Sequence, residues 1–225
     1  MADTKDITLK PRRAPRQARS QATVDAIFDA TIQVLLAEGL QKLTTIRVAE
    51  RAGASIGTLY QYYPNKQSLL FAVLERHLVR IGDTLEQAAT AVHHTPLDVM
   101  VCAVVDAFVK AKTAHMEESR ALYTVADALD SQQLVQRVRA RNRSILSAML
   151  ATATDVQFDD LATATFMFST AMIGPMRAVI EGNAPSKVTR SLRKQIGALC
   201  LGYLEREAQP RASARSRADK IKTAA

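Results

Sequence analysis

An all-α fold follows from three features of the chain. Apolar residues recur at three- and four-residue intervals almost throughout its 225 residues. Strand-like alternation with Asn-Gly or Asp-Gly turns is missing, and glycine or proline punctuates the periodic stretches. The length suits one domain, or a small domain with a larger one, and can bury a sizeable core. The predicted architecture is an N-terminal three-helix head followed by a C-terminal bundle of about six helices.

The first helix should run from about Gln21 to Glu38, with Val24, Ile27, Phe28, Thr31 and Leu35 on one stripe. Gly39 stands where a C-cap wants positive φ. Thr44 is placed to cap a short helix over Thr45–Ala52, stopped by Gly53. Ser55 is placed to cap another over Ile56–Tyr62, stopped before Pro64. Both are too short to stand alone and must lean on the first helix.

A long helix begins near Lys66, where Leu70, Val73, Leu74, His77, Leu78, Ile81 and Leu85 form an amphipathic stripe. His93-His94-Thr95-Pro96 reads as a loop, with Thr95 capping a helix opened by Pro96. Two helices follow at about 116–129 and 131–153, the second with Arg137, Arg139, Arg141 and Arg143 on a solvated face. The last two are expected at about 159–181 and 185–207, with Gly174-Pro175 bending the first. That helix is apolar on most sides, so it needs partners on more than one face, and a second subunit is the natural supplier. Dimerisation through these two helices is the expectation.

The net charge of +8 sits at the ends. Residues 1–20 carry Lys5, Lys10, Arg12, Arg13, Arg16 and Arg19 against Asp3 and Asp6. Residues 208–225 carry Arg211, Arg215, Arg217, Lys220 and Lys222 against Asp219. The stretch between has nineteen charges of each sign and is neutral. A flexible basic arm over 1–19 and a disordered basic tail over 208–225 suit a polyanion, nucleic acid before membrane. Nothing approaches the run of about eighteen apolar residues a membrane span needs, and no signal-peptide stretch opens the chain. A cytoplasmic protein is expected.

Catalytic signatures are missing: no GxGxxG, P-loop, GxSxG or HExxH occurs, and His77, His93, His94 and His115 are scattered. No enzyme, cofactor or metal site is expected. Cys102 and Cys200 show no zinc-type spacing, and each lies in an apolar run, so both are read as small buried hydrophobes.

Leu43 to Lys66 carries the functional signal. A helix, a tight turn at Gly53 and a second short helix make a helix-turn-helix layout, spanning residues 20–66 with the first helix. In that geometry the second short helix enters the major groove and its first residues meet base edges. Ser55, Ile56 and Gln61 are candidates for base readout, Gln61 because its amide can pair with adenine. Thr45, Thr58, Tyr60 and Tyr62 offer hydroxyls to phosphate, Lys66 a point charge, and Arg47 a reach to phosphate or guanine. Gly57 lets backbone approach the DNA closely. Leu59 and Tyr63 are read as packing residues.

These residues carry a family resemblance. Leu43-Thr44, Val48-Ala49, Ala52-Gly53, Ser55, Gly57-Thr58-Leu59-Tyr60, Tyr62-Tyr63, Lys66 and Leu69 resemble the motif of the TetR family of bacterial regulators. Ala54 stands where valine is usual, and Tyr63 where phenylalanine is. The likeness covers roughly residues 20–75; beyond Leu85 only helical character and length resemble the family. It implies a homodimeric repressor that reads a palindromic double-stranded DNA operator and releases it when a small-molecule effector binds. The ligand-binding and dimerisation domain would span residues 67–207. Met100, Phe108, Tyr123, Phe166, Phe168 and Met172 are the candidates for an apolar effector pocket, and each would serve equally as core.

Overall fold

The computed structural model describes residues 18–129, 131–182 and 184–211. Nine helices lie among them: α1 (Ala18–Lys42), α2 (Thr45–Arg51), α3 (Ile56–Tyr62), α4 (Lys66–Ala91), α5 (Leu97–Thr113), α6 (Met116–Ala128), α7 (Gln132–Leu150), α8 (Leu161–Ile180) and α9 (Ser186–Glu207). The fold is all-α, as the periodicity predicts, save for one small sheet. Two compact units divide the chain. The first holds the described residues up to Val79 together with Met116–Val135; the second holds Arg80–His115 and the described residues from Gln136 onward.

In the first unit, α1 packs on α2 and α6 through the buried Val24, Ile27, Phe28, Thr31 and Leu35. The Thr31 hydroxyl donates to the Ile27 carbonyl at 2.7 Å, so a polar group sits in this core without cost. Gly39 has φ +80°, which ends the regular turn and lets the chain double back toward α2. Asn65 and Ser68 open α4 by capping each other: Ser68 N–H donates to Asn65 Oδ1 at 2.7 Å, and Asn65 N–H to Ser68 Oγ at 3.3 Å. His77 on α4 bonds Glu118 on α6 through Nδ1 at 2.9 Å, with both side chains largely buried.

In the second unit, α5, α8 and α9 pack together around Met100, Val104, Phe168, Met176, Ile196 and Cys200. Lys112, at 6% exposure, is buried at the C-terminal end of α5. Gly82 of α4 faces α7 closely: a Cβ there would lie 3.0 Å from Asn142 Oδ1 and 3.3 Å from Arg141 Nη1. Beside it the Arg141 guanidinium donates to Asp83 at 2.7 Å and Glu86 at 2.5 Å.

Three details depart from the sequence reading. Cys102 is exposed, because it shares a face of α5 with Asp98 and Asp106 at four-residue spacing, opposite the buried stripe. Cys200, by contrast, is buried as expected, and burial pushes its thiol up to about 12. Thr95 does not cap α5; its hydroxyl donates to the Val92 carbonyl, and the Leu97 N–H is taken by the Asp155 carboxylate at 3.0 Å. Finally, order does not end at residue 207. β1 (Val156–Phe158) pairs antiparallel with β2 (Ala208–Pro210), Val156 opposite Pro210 and Phe158 opposite Ala208. Arg211 secures the pair. Its backbone N–H donates to the Asp155 carbonyl, and its guanidinium to the carbonyls of Val156 and Ala151 at 2.8 Å each. Three-residue strands are too short for alternation to show in a sequence. The expected arm, 1–19, lies almost wholly outside the described residues, as does the tail beyond Arg211.

Candidate nucleic-acid interface

Two seven-residue helices cannot hold themselves, so caps and plugs fix them. Thr44 caps α2 by accepting from the Arg47 N–H, and Ser55 caps α3 by accepting from the Thr58 N–H at 3.0 Å. Gly53, at φ +64°, makes the turn between them, a conformation a side chain resists. Val48 and Ala49 of α2 and Leu59 of α3 are buried. Tyr63 caps the C-terminal end of α3 and is buried against Phe28, ring centroids 5.7 Å apart. That burial raises its phenol to about 12, with the nearby Arg76 cation opposing. Tyr63 and Leu59 are thus packing residues.

What remains faces outward. Ser55, Ile56, Gly57, Tyr60 and Gln61 are exposed, and Thr58 is half-buried. A Cβ placed on Gly57 would meet only Ser55 Oγ, at 3.7 Å, in ordinary contact. Among the described residues nothing therefore requires glycine at a position where it weakens the helix.

The hydroxyls are already arranged. Thr45 Oγ1 and the Tyr60 hydroxyl lie 3.0 Å apart. One of their two protons serves this bond and the other is left to donate, with the Tyr60 ring exposed beside it. Ser55 Oγ and Thr58 Oγ1 make a second such pair at 2.8 Å. The two pairs, one at the start of α3 and one bridging α2 and α3, leave hydroxyl donors that an oxygen-rich anion can accept. Tyr62 is half-buried beside Tyr63, at 6.4 Å between centroids.

Two of the motif's cations, Arg47 and Lys66, are engaged within the chain. Arg47 forms an ion pair with Glu38 of α1 while staying half exposed. Lys66 donates to the Leu40 carbonyl at 2.7 Å, near the frayed end of α1, and partial desolvation lowers its ammonium pKa. It ties the start of α4 to α1, a role that spacing alone does not reveal. Sequence reasoning also passed over Ile46, which is 58% exposed on the first turn of α2. Its signal was an apolar residue lying off the buried stripe of Thr45, Val48 and Ala49, suited to a thymine methyl.

The six apolar pocket candidates do not fall together. Met100, Phe108, Phe168 and Met172 are buried in the second unit. Phe166 is 51% exposed there, and Tyr123 belongs to the first unit, half-buried.

Comparison with known proteins agrees with this geometry. Residues 27–73 match the family model of bacterial regulatory proteins, tetR family, and residues 96–204 match the tetracyclin repressor-like C-terminal domain. The HTH-type transcriptional repressor KstR of Mycolicibacterium smegmatis is 40% identical over 65 residues, which is 29% of this chain and 32% of that protein. The HTH-type transcriptional regulator YvkB of Bacillus subtilis is 34% identical over 76 residues, 34% of this chain and 40% of its own length. The chain thus spans well under half the length of these curated relatives. SmeT, the repressor of a Stenotrophomonas maltophilia multidrug efflux pump, has the same fold over 84% of this chain and 92% of its own, at 20% identity and a TM-score of 0.63. A SmeT–triclosan complex matches at a TM-score of 0.62, with 20% identity over 86% of this chain and 94% of that one.

Proposed function

The chain belongs to the tetR family of bacterial regulatory proteins, and from that premise we propose that it is a ligand-responsive homodimeric repressor. Its two heads hold a palindromic operator in double-stranded DNA and let go when a small molecule binds the C-terminal bundle. The observation that carries this reading is the outward surface of α3. Donor-bearing Ser55, Thr58 and Tyr60 and the amide of Gln61 surround a glycine that packing does not require. Base readout falls to Ser55, Ile56 and Gln61, and phosphate contact to Thr45, Thr58, Tyr60 and Tyr62. Arg47 and Lys66 add charge at the rim, each while bonded within its own chain.

The second subunit is a copy of this chain, seated on α8 and α9. Phe166, Met167 and Leu199 expose large apolar side chains on these helices. Among the described residues nothing lies within 4 Å of a Cβ placed on Gly174, Gly197 or Gly202, so none of them uses the close approach these glycines permit. Half-sites about one helical turn apart then require both heads at once, and a ligand that changes the heads' spacing through α4 lowers affinity steeply. The domains divide as an arm over 1–19, a reading head over 20–66, an effector and dimer domain over 67–207, and a basic tail from 208.

The effector is an apolar or amphipathic small molecule, bound in the second unit where Met100, Phe108, Phe168 and Met172 supply the lining, with Phe166 at its margin. No helix among the described residues is long and apolar enough to cross a membrane, which suits a cytoplasmic regulator without catalytic activity. The test is selection of bound fragments from the source genome by the purified protein, followed by footprinting. A protected palindrome lost with Tyr60→Phe is the expected result. Uniform, salt-sensitive binding with no enriched site would replace this reading with an architectural DNA-binding role.

A further inference from the structure

The aromatic packing beneath α3 continues beyond Tyr63. The face of Phe28 carries the guanidinium of Arg76, from α4, with its central carbon 4.4 Å from the ring centroid. The same guanidinium bonds Asp25 at 2.6 Å and Asp29 at 3.3 Å. Asp25, Phe28 and Asp29 sit at i, i+3 and i+4 of α1, so one helix face offers a ring flanked by two carboxylates. A planar cation held at three points cannot turn or slide freely, as a single ion pair can.

We infer that Arg76 is a positioning residue for DNA reading: its seat on Asp25, Phe28 and Asp29 transmits the placement of α4 through the Phe28 and Tyr63 rings to α3. This rests on the reading of α3 as the recognition helix. The path is physical and continuous, from guanidinium on ring, to ring against ring at 5.7 Å, to Tyr63, whose N–H donates to the Leu59 carbonyl at the end of α3. Its Coulombic reach is visible as well, since Arg76 is the chief influence opposing the upward shift of the buried Tyr63 phenol.

An ordinary structural ion pair would behave differently. The Arg76 side chain is 40% exposed and both carboxylates are more so. Exposed pairs of this kind add little to global stability. What a three-point seat supplies is orientation, and orientation matters to a helix of seven residues that must match a groove within fractions of an ångström. Arg76 therefore separates two quantities that usually move together, the stability of the head and the sequence selectivity of its binding.

The test uses the full chain, a selected operator duplex and a scrambled duplex, with affinities measured across a range of salt concentrations. Arg76→Met keeps a long side chain but removes the charge and the planar fork. It should lose roughly tenfold on the operator, keep its affinity for the scrambled duplex, and leave the salt slope of operator binding unchanged. Arg76→Lys, which keeps a cation over the ring without the fork, should recover part of the loss. Combined with Phe28→Leu, Arg76→Met should cost less than the two changes made separately, because both break one path. Equal weakening on both duplexes with a shallower salt slope would make Arg76 a direct phosphate contact and overturn the inference. So would wild-type affinity in Arg76→Met, or a fall in the unfolding midpoint large enough to account for the loss. If the wild-type protein itself failed to tell operator from scramble, the reading of α3 would fall first, whatever Arg76 did.

Discussion

The α3 surface and the α8–α9 face are both unfinished, but in opposite chemical senses. α3 is short, capped at Ser55, plugged at Leu59 and Tyr63, and shows hydroxyls, an amide and an empty space above Gly57. α8 is twenty residues long, and α8 and α9 expose Phe166, Met167 and Leu199 even though their inner faces are full. A polar surface with spare donors awaits a partner that brings acceptors. An apolar surface awaits one that brings more of the same. The first interaction should be salt-dependent and specific, whereas the second should be insensitive to salt and bury area. On the proposed reading one chain carries two kinds of adhesion on separate elements, and each can be broken alone.

The largest effect should come from the apolar face. Phe166→Glu with Leu199→Glu places charge where a second copy must bury it, so sedimentation should show monomers. Operator affinity should then fall more than a hundredfold although α3 is untouched. A dimer that persisted would remove α8 and α9 from the interface.

Next comes the interior of the second unit. Burial lowers the Lys112 ammonium to about 8, against an ordinary value of 10.5. Below about pH 8 both folded and unfolded chains hold the proton, and the folded one does so at a cost. Between about 8 and 10.5 only the unfolded chain binds it, so this group's contribution to stability rises with pH through that window. The stability of wild type relative to Lys112→Met should therefore rise by up to about 3 kcal/mol between about pH 8 and pH 10.5. Unfolding of both proteins at pH 7 and pH 10 measures the difference. A constant gap would show that Lys112 does not titrate in this way.

Two smaller changes sharpen the polar side. Gly57→Ala should stabilise α3 by about 0.5–1 kcal/mol, because there is room for the methyl group, and yet weaken operator binding about tenfold. Improved stability with undiminished binding would mean that DNA does not approach there. Tyr60→Phe removes the exposed hydroxyl of the Thr45–Tyr60 pair and should cost about 1–1.5 kcal/mol of binding, with no change in the unfolding midpoint. Titration with labelled operator would read it.

How much of this was visible in the sequence differed between the two regions for a physical reason. The helix order, the Thr44 and Ser55 caps, the turn at Gly53 and the roles of Leu59 and Tyr63 were legible because local rules demand particular residues at particular spacings. Cys102 was misplaced although its four-residue spacing from Asp98 and Asp106 already set it on the polar face of α5. The sheet was missed because its strands meet only across two long helices. Lys66 and Arg47 looked like free cations, but their partners, the Leu40 carbonyl and Glu38, lie far away along the chain or on another helix. Arg76 was overlooked although Asp25, Phe28 and Asp29 share a face, because the guanidinium that seats there comes from α4.

The pairing of Val156 with Pro210 closes a ring around α8 and α9. On a ribosome that ring cannot close until both helices have been made and Arg211 has left the exit tunnel. Until then α8 and α9 form a hairpin with loose ends, its apolar face already exposed. Under the proposed pairing of the chain with its own copy, that interval is a hazard when many copies are translated side by side. The small sheet acts as a time stamp, marking the moment when the hairpin has its final register. Slowing synthesis just before residue 208 should lengthen the interval and send more chain into aggregates, without changing a single residue of the finished protein.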